Sequence, residues 1–467
     1  MKQSGIPQNN QNLSDHVRFY QIDKRRSLLW NSYFPLVVAI NTDREGLKEI
    51  LCGLETRSAN LEVPELKKYK IVYEGPKDPY REQFIKLMED ELALAKNAIH
   101  SYFSEKKPYT NLYILNDSCN LRCPYCITRY NSLRGTSCAK VIRENVSVSI
   151  LRQFLRRLMR SELSPISICF NGGEILLDWE FVRRVVRESE RICRGKEIKY
   201  SMNTNMTLMN EGIAKFMAKH NFEVHVSIDG YEDAHNASRK YPNGNGSFND
   251  VIRGLTLYRV HNPGNRILGF QGTINHRSFE PRRVYEMKKY GFRACRLSPN
   301  LLGTSKRVAH ERATLMEDFL RLNAVYKFKV SDIYLSNIEK LLNMKTYRFS
   351  FNCLGLGCIP NMGLSINITK MLVSCMCSFV DAAAVTIDSR GIDIYDPRIG
   401  EAAISFIEQR LGIIKAQCID CAIVGVCKGG CILNGIDNKN RINESACEYQ
   451  YEMWLRSIKL VYERGRQ

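Results

Sequence analysis

Three closely spaced cysteines are the residues in this chain whose type and spacing indicate chemistry most clearly. Cys119, Cys123 and Cys126 follow a C-x3-C-x2-C pattern directly after the apolar residues 113–115. Cysteine thiolates are the usual protein ligands of a [4Fe–4S] cluster, and such a cluster takes four ligands. Because three cysteines leave one iron open, a small molecule can bind there. The spacing therefore favours a reactive iron–sulfur site over one that only carries electrons.

A second group of cysteines lies in the C-terminal part of the chain. Its nine members are Cys353, Cys358, Cys375, Cys377, Cys418, Cys421, Cys427, Cys431 and Cys447. Four of them form a C-x2-C-x5-C-x3-C series between residues 418 and 431. A zinc ribbon is the alternative for a C-x2-C pair, but nine cysteines exceed the needs of one tetrahedral ion and suit two further clusters. Disulfides are disfavoured because the total of 17 cysteines is odd and the sequence shows no secretion signal.

The rest of the composition is that of an ordinary globular protein. Of the 467 residues, 44% are hydrophobic and 25% are charged, which suits two or three domains with sizeable cores. Residues 1–15 are polar, and no stretch approaches the ~18 apolar residues of a membrane span. We therefore expect a cytoplasmic protein without a membrane partner.

The formal net charge of +19 has two interpretations. Many cations fall at helical spacing, such as Arg152, Arg156 and Arg160, which is typical of the solvated outer faces of helices. The alternative is an acidic partner, either a peptide or a nucleic acid. Charge is the only feature that favours a nucleic acid, so that partner is disfavoured.

Alternating strands and helices must position the first cysteine group. The predicted strands are residues 111–115, 166–170, 199–203, 223–228, 267–273 and 294–297. Six strands with helical crossovers predict a parallel α/β structure, a partial (β/α)6 barrel. Motifs follow the first four strands, namely the cysteine loop, residues 171–174, residues 204–205 and residues 227–230. Because α/β barrels build active sites at the carboxyl ends of their strands, these motifs are expected to converge.

The predicted domain plan has seven parts. Residues 1–15 are expected to be disordered. Residues 16–75 combine short apolar stretches with a helix around Leu47, Ile50 and Leu54, which predicts a small winged-helix-like module that either docks a peptide or decorates the core. Residues 64–80 are expected to form a linker. The remaining parts are a linker and helix (76–108), the α/β core (109–305), a helical connection (306–349), the cysteine-rich domain (350–450) and a C-terminal helix (451–467).

The motifs CNLRCPYC, NGGEILL, NTN and SIDG, at these intervals, resemble the radical S-adenosylmethionine (radical SAM) superfamily over roughly residues 109–300. The resemblance implies that Cys119, Cys123 and Cys126 hold a [4Fe–4S] cluster whose open iron chelates SAM. It also implies further cofactor contacts, from Tyr125 to the adenine, from Gly172, Gly173 and Glu174 to the methionyl ammonium, and from Asn205, Ser227 and Arg239 to the ribose or carboxylate. Ile175 replaces the family's usual proline, at a position that donates no ligand.

The C-terminal cysteines resemble a SPASM domain, the auxiliary-cluster extension of radical SAM peptide and protein maturases. The resemblance implies two more [4Fe–4S] clusters, one held by Cys353, Cys358, Cys375 and Cys431 and the other by Cys418, Cys421, Cys427 and Cys447. Lys370 stands where the family often has glycine. Cys377 is surplus, and could replace Cys375 as a ligand, donate a hydrogen atom as an epimerase requires, or be a structural thiol. Met376 stands where sulfatase-maturating members are expected to place a catalytic Asp, which disfavours sulfatase maturation.

The function implied by both resemblances is a maturase of a ribosomally made precursor peptide. Such an enzyme works through a 5′-deoxyadenosyl radical, and a thioether or C–C cross-link is the expected product. The leader of the peptide would dock at the N-terminal module by edge pairing, and a flavodoxin or ferredoxin-type protein would supply electrons. Two alternatives stay open. They are an epimerase or another radical modification of a protein or RNA, and a non-catalytic iron–sulfur electron-transfer protein.

Overall fold

The computed structural model of the chain describes residues 11–23, 26–34, 36–41, 63–109, 111–126, 140–264, 267, 269–275, 279–301, 304–331, 363–375, 383–429 and 442–464. The helix predicted around Leu47 lies outside these residues, as do Cys353, Cys358, Cys377 and Cys431. Within the described ranges, no helix is long and apolar enough to cross a bilayer.

The N-terminal region contains two small antiparallel sheets. Its elements are β1 (Gln11–Leu13), β2 (Val17–Asp23), β3 (Arg26–Asn31), β4 (Val38–Ile40), α1 (Val63–Lys68) and β5 (Val72–Glu74). Strands β2, β3 and β4 form one sheet in that order, and β1 pairs with β5. Both sheets and α1 share a small buried core, which includes Val17, Leu29 and Leu66.

Two predictions for this region are wrong. Residues 11–13 form a strand although their polar composition predicted disorder, because β5 supplies their backbone partners. The segment expected to be a linker contains α1 and β5. Both elements are short, so they leave little periodic pattern in the sequence.

A long helix, α2 (Tyr80–Ser104), leads into the central sheet. The next elements are β6 (Asn111–Asn116), α3 (Lys140–Met159), β7 (Ile166–Gly172), α4 (Trp179–Ile192), β8 (Ile198–Thr204), α5 (Glu211–Lys219), β9 (Glu223–Ser227), α6 (Glu232–Ser238), α7 (Phe248–His261), β10 (Gly269–Ile274) and β11 (Ala294–Pro299). Single 3-10 segments, Ile175–Asp178 and Pro281–Tyr290, follow β7 and β10. Strands β6 to β11 are the six predicted strands, and they pair in parallel in sequence order, which confirms the predicted α/β core.

The sheet extends beyond the six predicted strands at both edges. Helix α8 (Lys306–Tyr326) is followed by β12 (Lys329–Ser331), which pairs with β11 in a segment predicted to be helical. At the other edge, β13 (Gly363–Asn367) pairs in parallel with β6. Strands β14 (Leu372–Ser374) and β15 (Val385–Thr386) then complete a ten-stranded sheet. The start of the cysteine-rich region therefore belongs to the same sheet as β6, the strand that precedes the first cysteine loop.

The C-terminal part of the chain is helical. Helix α9 (Pro397–Ile413) continues into a π turn (Ile414–Cys418), and two further helices are α10 (Val424–Cys427) and α11 (Glu444–Arg464). The indole of Trp30 on β3 reaches this part, because its Nε1 donates to the carbonyl of Ala422 at 3.0 Å and its ring meets Trp454 edge-on at 6.0 Å. The N-terminal strands thus pack directly against the cysteine-rich region.

Candidate active site

The first cysteine loop begins where β6 ends. Leu121, Cys123 and Tyr125 form a small buried cluster, and Cys119 and Cys126 pack against it. The Sγ of Cys119 accepts a hydrogen bond from the backbone N–H of Leu121 at 3.4 Å, and none of the described cysteines is in a disulfide. The structure therefore brings the three predicted cluster ligands together.

Burial makes these thiols costly to ionise in isolation. It raises the pKa of Cys119, and raises the pKa of Cys123 to about 12. The negative charge of the Cys126 thiolate raises both pKa values further, whereas the guanidinium of Arg239 lowers them. Cysteines lose their protons when they bind iron, because the metal supplies the positive charge that water cannot supply here. This donor set fits an iron–sulfur cluster.

Two glycines at the end of β7 allow the chain to approach the start of the cysteine loop. Gly172 has a φ of +112°, and a Cβ on it would lie 2.1 Å from the carbonyl oxygen of Asn116. A Cβ on Gly173 would lie equally close to the carbonyl oxygen of Ser118. Because no Cβ is present, the two backbones can hydrogen-bond directly. The N–H of Gly173 donates to the carbonyl of Asn116 and the N–H of Glu174 to the carbonyl of Ser118, each at 2.7 Å. Close packing of two backbones thus accounts for both glycines, while their contact with an ammonium group stays a prediction.

Glu174 is fully buried and joins two strand ends. Its Oε2 accepts from the backbone N–H of Asn205 at 2.7 Å, and its Oε1 accepts from the hydroxyl of Thr204 at 2.8 Å. Burial raises the pKa of Glu174 to about 7, although these hydrogen bonds lower it. A nearby ammonium group would favour the ionised carboxylate. Glu174 therefore suits the predicted role, and it also holds the end of β7 against the end of β8.

Asn205 connects the end of β8 to the cysteine loop. Its Nδ2 donates to Oδ1 of Asn120 at 3.0 Å and lies 4.0 Å from the Sγ of Cys119. Ser227 ends β9 and stands in register with Gln271 on β10. Asn205 thus follows the end of β8 beside Cys119, whereas Ser227 is placed at the end of β9.

A buried carboxylate that received no role from the sequence organises the other side of the loop. Asp229 accepts hydrogen bonds from the hydroxyl of Tyr125, from Nε of Arg239 at 3.0 Å and from the backbone N–H of Thr273 at 2.8 Å. The guanidinium of Arg239 lies 5.8 Å from the ring centroid of Tyr125. Although burial lowers the pKa of Arg239, the charge of Asp229 raises it overall. Asp229 thus fixes Tyr125 and Arg239, and the SIDG motif was the sequence signal for it.

A second acidic residue ties the loop to the C-terminal part of the sheet. Asp117, two residues before Cys119, accepts from Nδ2 of Asn367 at 3.1 Å and lies 3.2 Å from Nζ of Lys370. Its backbone N–H donates to the hydroxyl of Thr369 at 3.0 Å. Asp117 and Lys370 are both largely buried. Lys370, which stands in place of a frequent glycine, therefore has a structural partner in Asp117, at the start of the cysteine loop.

Four C-terminal cysteines lie within electrostatic range of one another. Burial raises the pKa of Cys427, and the neighbouring thiolates of Cys447, Cys421 and Cys418 raise it further. Burial raises the pKa of Cys447 to about 12, and the charges of Cys418 and Cys421 act in the same direction. In the described part of the chain, no three Cys, His, Asp or Glu side chains form a group that could hold a single metal ion. The four cysteines predicted to hold one auxiliary cluster are thus close enough for their charges to affect one another's pKa values.

The other predicted auxiliary cluster is described only in part. Cys375, at the end of β14, is buried, and its Sγ lies 3.8 Å from the carbonyl oxygen of Ile399. Its three predicted partners, together with Cys377 and Met376, lie outside the described residues.

Comparison with known proteins finds similarity in the part of the chain that contains the candidate site. Residues 113–276 match the model of the Radical SAM superfamily. The chain is 34% identical over 152 residues to a cysteine-type anaerobic sulfatase-maturating enzyme of Clostridium perfringens (strain 13 / Type A), covering 31% of this chain and 39% of that protein. It is 25% identical over 175 residues to the radical SAM cyclopropyl synthase TigE of Paramaledivibacter caminithermalis, covering 36% and 35%. The chain thus spans little more than a third of the length of these relatives.

A solved structure shares the fold over a larger part of the chain. The structure of native anSMEcpe with bound AdoMet and Cp18Cys peptide superposes with a TM-score of 0.57 and 21% identity. It covers 76% of this chain and 99% of that one. At this identity, the similarity establishes the fold.

Proposed function

Because residues 113–276 match the model of the Radical SAM superfamily, we propose that the chain is an enzyme that modifies a ribosomally made precursor peptide. When bound together, the [4Fe–4S] cluster and SAM supply a one-electron cleavage of SAM and a 5′-deoxyadenosyl radical that can remove hydrogen from carbon. The observation that carries the proposal is the convergence of three cysteines with the Tyr125–Asp229–Arg239 network at the carboxyl ends of the parallel strands.

The residues of the site divide into ligands and positioning groups. Cys119, Cys123 and Cys126 would hold the cluster. Tyr125, whose hydroxyl is fixed by Asp229, would present its backbone or ring to the adenine. The other contacts would come from Gly172, Gly173, Glu174, Asn205, Ser227 and Arg239. Since Glu174 and Asp229 are buried with several donors each, the site would meet SAM with little rearrangement.

Two auxiliary clusters are part of the proposal. Cys418, Cys421, Cys427 and Cys447 would hold one of them, supported by their mutual electrostatic effects. Cys375 would belong to the other, with Cys353, Cys358 and Cys431. Clusters ligated by four cysteines suit electron acceptance, because their irons have no open position.

The proposed product is a thioether or C–C cross-link. Formation of a thioether would break one C–H and one S–H bond and form one C–S bond. One hydrogen would leave as an atom to the 5′-deoxyadenosyl radical and the other as a proton, and an auxiliary cluster held by these cysteines would supply an acceptor for the one remaining electron. The curated relatives include sulfatase-maturating enzymes, but their similarity covers only about a third of this chain, and Met376 disfavours that reaction.

The outer edge of β2, as the described strands pair, supports leader docking at the N-terminal region. Among the described strands, β2 lies at the outside of its sheet. The N–H of Ser32 donates to the carbonyl of His16, so the hydrogen-bonded pairs with β3 fall on residues 16, 18 and 20. The N–H group of Gln21 therefore points away from β3, where an extended leader could pair. A flavodoxin or ferredoxin-type reductant, a cytoplasmic location and the absence of membrane or nucleic-acid partners complete the proposal.

Co-expression with the short open reading frames beside the gene tests the peptide modification. The expected result is one precursor that loses two hydrogens per cross-link, measured by mass spectrometry, and does so only with the intact cysteines of the first loop. A precursor whose mass is unchanged but in which one residue has inverted its configuration would favour the epimerase. Reduced protein that forms no 5′-deoxyadenosine from SAM would favour the electron-transfer protein.

Replacing Gln21 with proline tests the docking edge. Gln21 is exposed, and proline is tolerated on edge strands where the lost N–H faces solvent. We expect Gln21→Pro to weaken binding of the identified precursor about tenfold, measured as Kd by titration, because an interstrand hydrogen bond and its neighbours are lost. Gln21→Ala, which keeps the N–H, is the matched control and should bind as the unmodified protein does. Equal affinities for both variants would place the leader elsewhere.

A further inference from the structure

The two faces of strands β9 to β12 differ sharply in polarity. One face carries apolar side chains that are buried in the main core, namely Val224, Val226, Phe270, Ile274, Cys295, Leu297 and Val330. The opposite face carries polar side chains that are at least partly accessible, namely Glu223, His225, Ser227, Gln271, Thr273, Arg296, Ser298, Lys329 and Ser331. The interior of a closed α/β barrel is usually filled by branched apolar residues. This polar face is instead suited to contact water or a polar ligand.

A cavity of about 580 Å³ opens near the amino ends of the same strands, and apolar Val224, Phe270 and Cys295 line it together with residues of the polar face. Its lining includes Glu223, His225, Gln271, Arg296, Lys329 and Ser331. A volume in this range accommodates a few residues of an extended peptide, and lies within the usual range of ligand sites.

The charge balance of the cavity favours an anion. Arg296 and Lys329 are both exposed, and neither forms an ion pair with a carboxylate among the described residues. The carboxylate in the lining, Glu223, lies 3.5 Å from the imidazole of His225. Two cations therefore face the cavity against one acid that already has a neighbour. A guanidinium matches the two oxygens of a carboxylate by paired hydrogen bonds.

Strand register connects the cavity to the candidate active site. Ser227, Gln271, Arg296 and Ser331 are direct neighbours across β9, β10, β11 and β12. Since neighbouring strands lie about 4.8 Å apart, Arg296 stands roughly 10 Å from Ser227. An extended peptide spans that distance with about three residues. A peptide side chain bound at Arg296 would therefore lie within about three residues of the peptide residue bound near Ser227.

We propose that this cavity binds a carboxylate of the peptide substrate, the side chain of an Asp or Glu close in sequence to the modified residue, with Arg296 as its principal partner. The inference rests on the proposed peptide-modifying function and adds to it a substrate class. Arg296 is thus a specificity-determining residue, on a part of the sheet that holds none of the cluster ligands.

Selection from a random dodecapeptide pool tests the proposal. The full-length protein, reconstituted anaerobically with its clusters and SAM, is immobilised, and the retained peptides are sequenced by mass spectrometry. We expect acidic residues to be enriched about tenfold at one position, as a charge-assisted hydrogen bond predicts. Arg296→Gln should remove the enrichment, and Arg296→Lys should keep part of it. Arg307→Gln, on the exposed surface of α8, removes the same charge elsewhere and should leave the enrichment intact.

Failure of this proposal and failure of the proposed function give different results. Iron content and melting temperature establish that each variant is folded and loaded. If the unmodified protein forms 5′-deoxyadenosine but shows no acidic preference, or if Arg296→Gln keeps that preference, the carboxylate site is wrong and the function stands. If the unmodified protein forms no 5′-deoxyadenosine, the proposed function itself is wrong. A second pool in which Asn and Gln replace Asp and Glu tests the charge without any variant, and its equal retention would also overturn the proposal.

Discussion

The two cysteine regions of the chain are held in place by different means. The first three cysteines share one loop, which is fixed by backbone hydrogen bonds from β7 and by the buried carboxylates of Glu174 and Asp229. The four C-terminal cysteines with mutual electrostatic effects come from separate elements, the π turn, the segment before α10, α10 itself and α11. The first site is therefore local and held by strand ends, whereas the second depends on the packing of helices. This difference predicts that the two sites fail separately.

Removal of single cysteines should separate the two regions most strongly. We expect Cys119→Ala to lose about four of roughly twelve irons and all SAM cleavage, because one cubane loses a ligand. Cys421→Ala should lose a similar amount of iron but keep SAM cleavage in the absence of peptide. Iron analysis and chromatography of 5′-deoxyadenosine measure both quantities. Cys295→Ala, a buried cysteine on β11, is the control and should keep all irons; equal loss of SAM cleavage in both cluster variants would contradict the separation.

Neutralising Asp229 should destabilise the first region strongly. In Asp229→Asn the buried guanidinium of Arg239 loses its counter-charge, and breaking a buried ion pair costs about 3–5 kcal/mol. The free energy of unfolding in denaturant measures the change. Asp250→Asn is a matched control, because Asp250 also accepts from a tyrosine hydroxyl at 2.8 Å and pairs with Arg253 at 3.0 Å, but it is partly exposed. The control should cost less than about 1 kcal/mol, and similar losses in both variants would mean that burial of Asp229 does not matter.

Glu174 should give the first region a distinct pH dependence. Burial raises the folded-state pKa of Glu174 to about 7, above the ordinary value of 4.5 for a glutamate, so the folded protein holds this proton more tightly than the unfolded chain does. The stability that protonation contributes is present below pH 4.5 and is lost as the pH rises through about 7, by roughly 3 kcal/mol in total. The measurement is the difference in unfolding free energy between the unmodified protein and Glu174→Gln, without SAM, from pH 4.5 to 8. A difference that does not change with pH would contradict the raised pKa.

Trp30→Phe should affect only the C-terminal region, and less strongly. The substitution keeps an aromatic ring beside Trp454 but removes the Nε1 donor to the carbonyl of Ala422, which costs about 1–2 kcal/mol. We expect iron to be lost more readily from the C-terminal clusters while SAM cleavage is kept. Trp179→Phe, where the indole is half-buried against Phe216, is the control. Loss of SAM cleavage before loss of auxiliary iron would reverse the expected order.

The sequence predicted the central sheet well because its information is local. Each of strands β6 to β11 has an apolar pattern and is followed by a turn. The position of each strand can therefore be predicted from residues that are neighbours in the sequence. The pairing of β13 with β6 joins residues more than two hundred positions apart, and no local pattern encodes it. Lys370 illustrates the same limit. As a departure from a family pattern it had no evident purpose, and its partner, Asp117, becomes apparent only when β13 lies beside β6.

The candidate site was predictable to the extent that its residues occur in short motifs. The cysteines, Glu174 and Asn205 lie in motifs whose spacing indicates their position at strand ends. Asp229 lies within such a motif, but its significance depends on burial and on a tyrosine more than a hundred residues away. Glu174 shows that a predicted ligand contact can also carry structural hydrogen bonds, which spacing alone does not reveal.

Formation of 5′-deoxyadenosine from SAM by the anaerobically reconstituted, dithionite-reduced protein tests the central claim most directly. The account predicts that the unmodified protein forms it without any peptide, and that Cys119→Ala, Cys123→Ala and Cys126→Ala do not. Iron-loaded protein that leaves SAM intact under the same conditions would contradict it.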